Sequence, residues 1–173
     1  MYLNLETERL LFRPLRLSDA GFILELVNTK AWLEFIGNRS ILNTAAANNY
    51  IQKSIDSKSS FYHVFELKDT QKAIGLITLL HRDHEAFPDI GFAILPKFAN
   101  RGYTAEAGKA YLENIIASGK YENVIAITLP TNKRSIRLIE KLGLEYDSDQ
   151  LKDKVLLSYF SLNKMEKLKD NNT

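Results

Sequence analysis

The chain has 173 residues, 45% of them apolar and 25% charged, with a formal net charge of +2. That length fits one domain with a sizeable core, and the weak basic excess supplies no concentrated face for nucleic acid. Cysteine is absent, which excludes disulfides, thiolate nucleophiles and cysteine-ligated zinc.

Leu10 to Leu17 (L-L-F-R-P-L-R-L) opens as a strand. Ser18-Asp19 then offers a helix N-cap, and Phe22, Ile23, Leu26 and Val27 supply an apolar stripe at helical spacing. Trp32 to Asn43 carries no clear period. A second helix is expected from Thr44 through Ile55, with Ala47, Tyr50, Ile51 and Ile55 on one side. Phe61 to Leu67 and Ala73 to Leu80 read as a hairpin around the polar turn Lys68 to Lys72. His81 to Pro88 is a loop, and the strand Ile90 to Leu95 is stopped by Pro96.

The second half alternates helix and strand. Gly102 to Ser118 is predicted helical, with Gly108, Tyr111, Leu112 and Ile115 as its packed stripe. Val124 to Leu129 is an apolar strand, Thr131 to Leu142 a helix closed by Gly143, and Leu144 to Tyr146 and Val155 to Leu162 are strands. The order is α+β around one mixed sheet. Without repeats or long linkers, residues 1–163 are expected to form a single domain, followed by a polar tail over 164–173. Met1 to Leu11 lacks the apolar core of a signal peptide, and no run approaches the roughly 20 apolar residues of a membrane span. A cytoplasmic protein is the default expectation.

The segment Phe98 to Ala107 (F-A-N-R-G-Y-T-A-E-A) joins a strand and loop to a helix that starts at a glycine. First-turn N–H groups lack intrahelical partners and the helix dipole adds positive charge there, so this geometry suits an anion. N–H groups from Ala99 to Thr104 form a candidate nest, with Gly102 allowing close backbone approach, Arg101 adding charge and Thr104 a hydroxyl. A glycine at a helix entrance after a strand is also common without any ligand.

Three segments resemble the GNAT N-acetyltransferase superfamily, in the branch of the ribosomal-protein-alanine acetyltransferases. Phe98 to Ala107 is similar to that branch's aromatic-x-x-(K/R)-G-Y-(A/G)-x-E-A loop. Asn132 to Leu144 (N-K-R-S-I-R-L-I-E-K-L-G-L) is similar to its N-x-x-S helix, and Thr7 to Asp19 (T-E-R-L-L-F-R-P-L-R-L-S-D) to its opening. Ala99 and Thr104 depart from the superfamily's usual first and last loop residues. The resemblance implies a mostly antiparallel sheet splayed at its centre, with helices on both faces. It implies acetyl-CoA as cosubstrate, bound by Phe92, Ile94, Leu95, Ala99, Asn100, Arg101, Gly102, Tyr103, Thr104 and Asn132, with Arg137 and Lys141 reaching its phosphates. The Ile94 N–H would stabilise the oxyanion as a primary amine attacks the thioester directly.

Asp89 is the expected general base, with Glu66 and Glu85 behind it. Ser135 matches the branch's acid, and its other reading is a helix cap; the tyrosine of many superfamily members is Ile139 here. Trp32 and Phe35 fall where relatives build the acceptor pocket. By analogy the protein is a homodimer acting on a small-molecule amine or a protein N-terminus, without metal or membrane. The alternative is a catalytically weak CoA-binding sensor. His81-x-x-His84-Glu85 does not match a zinc motif, and His63 reads as a core histidine.

Overall fold

A meander of four strands sets the frame: β1 (Leu10–Pro14), β2 (Ser60–Leu67), β3 (Ala73–Leu80) and β4 (Asp89–Ile94) pair antiparallel in that order. The structure, a computed structural model, describes residues 4–162; the expected tail at 164–173 lies outside them. Three strands complete the sheet: β5 (Ile125–Thr128), β6 (Glu145–Lys152) and β7 (Val155–Ser161), in the order β1-β2-β3-β4-β5-β7-β6. Among the described strands only β4 and β5 run parallel, and they share a single ladder pair, Asp89 with Ile125. Beyond it the strands part, which is the splayed mixed sheet that the sequence implied.

Alternation along the strands feeds two cores, one on each face. Helices α1 (Ala20–Val27), α2 (Lys30–Phe35) and α3 (Thr44–Asp56) pack on one face, where Ile23, Leu26, Ile51, Val64 and Leu76 meet. Helices α4 (Tyr103–Ala117) and α5 (Lys133–Lys141) cover the other. The expected α4 stripe of Gly108, Tyr111, Leu112 and Ile115 is buried. Helix α2 begins two residues before Trp32 and runs into the stretch that carries no clear period. It is capped by Thr29, whose hydroxyl accepts from the Trp32 N–H, and six residues are too few for an apolar period to declare itself. β6 runs six residues beyond the expected strand end, from Tyr146 to Lys152. Among the described residues no helix is long and apolar enough to cross a membrane.

His63 is a core histidine. It is fully buried on β2, and its Nδ1 shares a hydrogen bond of 3.2 Å with the Tyr111 hydroxyl of α4. Burial disfavours the charged ring and pulls its pKa from 6.5 down to about 4. The neutral ring therefore contributes stability that is complete above pH 6.5 and declines as pH falls toward 4. At about 1.4 kcal/mol per pH unit the window is worth about 3 kcal/mol. Urea denaturation across that range is expected to show the slope in the wild type and a flatter one in His63→Phe. Equal slopes would refute this account.

Candidate active site

The loop after β4 ends in the first turn of α4. Asn100 and Gly102 both adopt positive φ, 61° and 81°, so the chain reverses twice before the helix begins. Asn tolerates that region and Gly enters it freely. The Ala99 N–H is used, donating to the Pro96 carbonyl at 3.1 Å. Among the described residues, the N–H groups of Asn100 through Ala105 have no protein acceptor. The donor set is therefore shifted one residue from the expected Ala99–Thr104. Six successive free donors at a helix N-terminus are an arrangement that suits an anion.

Glu106 sits in the first turn of α4, and its carboxylate is fully engaged. Oε1 accepts from the Thr7 hydroxyl at 2.6 Å and the Arg9 N–H at 3.0 Å, and Oε2 from Arg9 Nε at 2.6 Å. Burial pushes this carboxyl up, but the bonds from Thr7 and Arg9 outweigh it and hold the group below its ordinary value.

The opening between β4 and β5 has a defined lining. The Leu95 N–H donates to the Ile74 carbonyl, continuing the register in which Ala93 faces Leu76 and Ile94 faces Gly75. Bonded and non-bonded pairs alternate in an antiparallel ladder. Ala93 and Leu95 thus bond to β3, while the main-chain groups of Phe92 and Ile94 point away from it, into the opening. Leu95 leaves the expected binding set. Its side chain is core, its N–H serves β3, and its carbonyl accepts from the Phe98 N–H at 2.9 Å.

Asp89 stands where the opening begins, only 3% exposed. Its Oδ2 accepts from Arg82 Nε and Nη2 at 2.9 and 2.7 Å, and its Oδ1 from the Ile127 N–H at 3.2 Å. In a continuing parallel ladder that N–H would reach the Ile90 carbonyl. The carboxylate takes over the bond where the backbones separate. Burial pushes the Asp89 carboxyl up, with Arg82 and the Ile127 N–H pulling against it. Both oxygens are occupied in the framework, which is poor geometry for the expected general base. Glu66 accepts from Arg13 Nε on β1 at 2.9 Å and lines neither cavity described below.

On α5 the cap belongs to Asn132, whose Oδ1 accepts from the Ser135 N–H at 3.1 Å. Ser135 is thereby relieved of capping, and its half-buried hydroxyl has no protein partner among the described residues. Arg137 and Lys141 are exposed and line neither cavity. The first-turn residues Lys133 and Arg134 line the first of them instead, because α5 approaches it with its N-terminus.

Two cavities meet at this point. The first, about 710 Å³, lies between α2, the loop from Pro96 to Gly102 and the N-termini of α4 and α5. The second, about 760 Å³, follows β4 and β5 to the loop 81–88 and the β6–β7 hairpin. Ala93, Asn132, Ser135, Trp32 and Phe35 line both. Trp32 is 5% exposed and its indole N–H has no partner among the described residues, an unusual state for a buried donor. At the far end of the second cavity Glu85 Oε1 accepts from the Tyr159 hydroxyl at 3.0 Å and from Lys152 Nζ. Tyr159 and Lys152 carried no sequence signal; only the pairing of β6 with β7 brings them here.

A family profile described as the acetyltransferase (GNAT) domain matches residues 9–145. The chain is 25% identical over 142 residues to the uncharacterized N-acetyltransferase YnaD of Bacillus subtilis, covering 82% of each. Its fold is similar to a ribosomal-protein-S5-alanine acetyltransferase from Vibrio fischeri, with a TM-score of 0.77, 17% identity and coverage of 92% and 95%. It is also similar to the microcin C7 self-immunity acetyltransferase MccE, solved with acetyl-CoA and AMP, with a TM-score of 0.78, 15% identity and coverage of 90% and 92%.

Proposed function

Because the chain belongs to the GNAT acetyltransferase family, we propose that it moves an acetyl group from acetyl-CoA directly to a primary amine. The observation that carries this reading is the run of free N–H groups from Asn100 to Ala105, at the edge of a cavity that meets a second one at Ala93 and Ser135. Those donors and the α4 dipole hold the pyrophosphate, with Arg134 and Lys133 adding charge. Main-chain groups of Phe92 and Ile94 align the pantetheine arm in the β4–β5 opening, and the Ile94 N–H faces the developing oxyanion. The acceptor enters through the second cavity, where Trp32 and Phe35 form a wall on both molecules. Its ammonium proton leaves through water toward the Glu85 carboxylate, while Asp89 keeps the strands apart. Ser135, free of capping, protonates the departing thiolate.

Holding amine and thioester in line at this junction supplies much of the acceleration, and no protein nucleophile is required. Binding is measured by calorimetry and by emission of Trp32, the sole tryptophan. CoA at a hundred times its dissociation constant is expected to add about 2.7 kcal/mol of stability. Thiol release with a panel of amines reports turnover, and Ser135→Ala is expected to lower kcat while leaving CoA affinity intact. Absence of CoA binding would remove the proposal. CoA binding without thiol release for any amine would select the sensor reading instead.

A further inference from the structure

The anion loop is bordered by a residue more than ninety positions away in sequence. Arg9, just before β1, lays its guanidinium over the Tyr103 ring at 4.4 Å and donates from Nη1 to the Arg101 carbonyl at 3.2 Å. Its Nε and Nη2 both meet Glu106 Oε2 at 2.6 Å. The same carboxylate takes the Arg9 N–H and the Thr7 hydroxyl, and that hydroxyl accepts from the Leu10 N–H at 3.1 Å. A Cβ placed on Gly102 would lie 3.4 Å from Arg9 Nη2.

Fold stability is a weak explanation for so many contacts. The Arg9 side chain is 42% exposed, and ion pairs at such positions are worth about 1 kcal/mol or less. A direct phosphate contact is also a poor account. Every guanidinium nitrogen already has a partner, and Glu106 cancels the charge. What the arrangement fixes is direction. In a trans peptide the Arg101 carbonyl and the Gly102 N–H point in opposite directions, so a carbonyl tied to Arg9 aims the Gly102 N–H the other way, on the side where Gly102 lines the first cavity. The Glu106 link ties Arg9 in turn to the first turn of α4, so the two ends of the loop are held by one residue.

We infer that Arg9 and Glu106 are positioning residues that pre-form the pyrophosphate-binding loop, with Thr7 completing the clamp. This rests on the proposed acetyl-CoA reading. It also makes the segment from Thr7 to Leu10 part of the cofactor site without touching the cofactor.

The test compares Arg9→Met, which keeps an unbranched side chain but removes the guanidinium from Tyr103, Arg101 and Glu106, with Glu106→Gln, using Lys109→Ala as a control on the exposed side of α4. Coulomb's law predicts opposite outcomes for the pair, since removing a carboxylate near an anion site favours the anion. The clamp predicts that both variants weaken CoA binding about tenfold, the size of a lost charge-assisted hydrogen bond. The loss falls on KM for acetyl-CoA rather than on kcat, and the control stays at wild type. Amide order parameters for residues 99–104, measured without CoA, are expected to fall from the rigid range in both variants. Tighter CoA binding by Glu106→Gln, or unchanged affinity in either variant, overturns the inference. If the wild type does not bind CoA the functional proposal fails, and the order parameters still decide whether the clamp orders the loop.

Discussion

Asp89→Ala is expected to lower unfolding free energy by about 2–3 kcal/mol and to remove most turnover. The loss comes from stranding the Ile127 N–H, since an unsatisfied donor in a partly buried strand costs about 1–3 kcal/mol. Arg82 adds little, because half of its side chain is exposed and water can replace the carboxylate. Turnover falls because β4 and β5 lose the side chain that sets their separation, and the main-chain donors of Phe92 and Ile94 no longer face a gap of fixed width. Asp89→Asn tests the assignment. Its amide oxygen can still accept from Ile127, so most stability and turnover are expected to survive. Urea unfolding with thiol-release kinetics on both variants reads this out. A fully stable Asp89→Asn protein without turnover would restore Asp89 as the proton acceptor.

Gly102→Val acts on the loop itself. A β-branched residue at φ 81° pays the left-handed penalty of about 1–2 kcal/mol, and the chain relieves it by rotating the peptides on either side. Those peptides carry donors of the anion site. CoA affinity is expected to fall about 100-fold, equivalent to about 2.7 kcal/mol. The α4 helix should survive, because its buried stripe from Ala107 to Ile115 is untouched. Far-ultraviolet circular dichroism and calorimetry make the comparison. A folded Gly102→Val protein that binds CoA like the wild type would contradict the assignment of the loop.

The sequence was most legible where burial imposes a period. The β2–β3 hairpin, β4 and α4 follow from alternation or helical spacing, and their ends lie within a residue or two of expectation. The length of β6 is not legible because Glu145 to Lys152 is an edge strand with every residue exposed or half-exposed; its position follows from pairing with β7, which composition does not encode. Helix α2 leaves no period in the sequence because, over one capped turn and a half, only Trp32 is buried. The anion loop was legible because its donors belong to the backbone and need only Gly102 and the following helix. The acid–base assignments were less so. Whether Asp89 is available depends on Arg82 and Ile127, and whether Ser135 is available depends on Asn132 taking the cap. Arg137 and Lys141 share a helix face, but periodicity does not say which end of α5 lines the cavity.

The single rung between β4 and β5 has a mechanical consequence. Four strands form one leaf and three form another, joined by one ladder pair, the carboxylates of Asp89 and Glu85 and the packing of α4 against α5. The most compliant motion of such a body is a spreading of the leaves about Asp89, as a book opens on its spine. A pantetheine arm lying between them would act as a missing strand, lending amides to both edges and stiffening the hinge. On the proposed reading, the width the leaves adopt at rest would then become a gauge for the acyl group, favouring one small enough to leave the spine unbent.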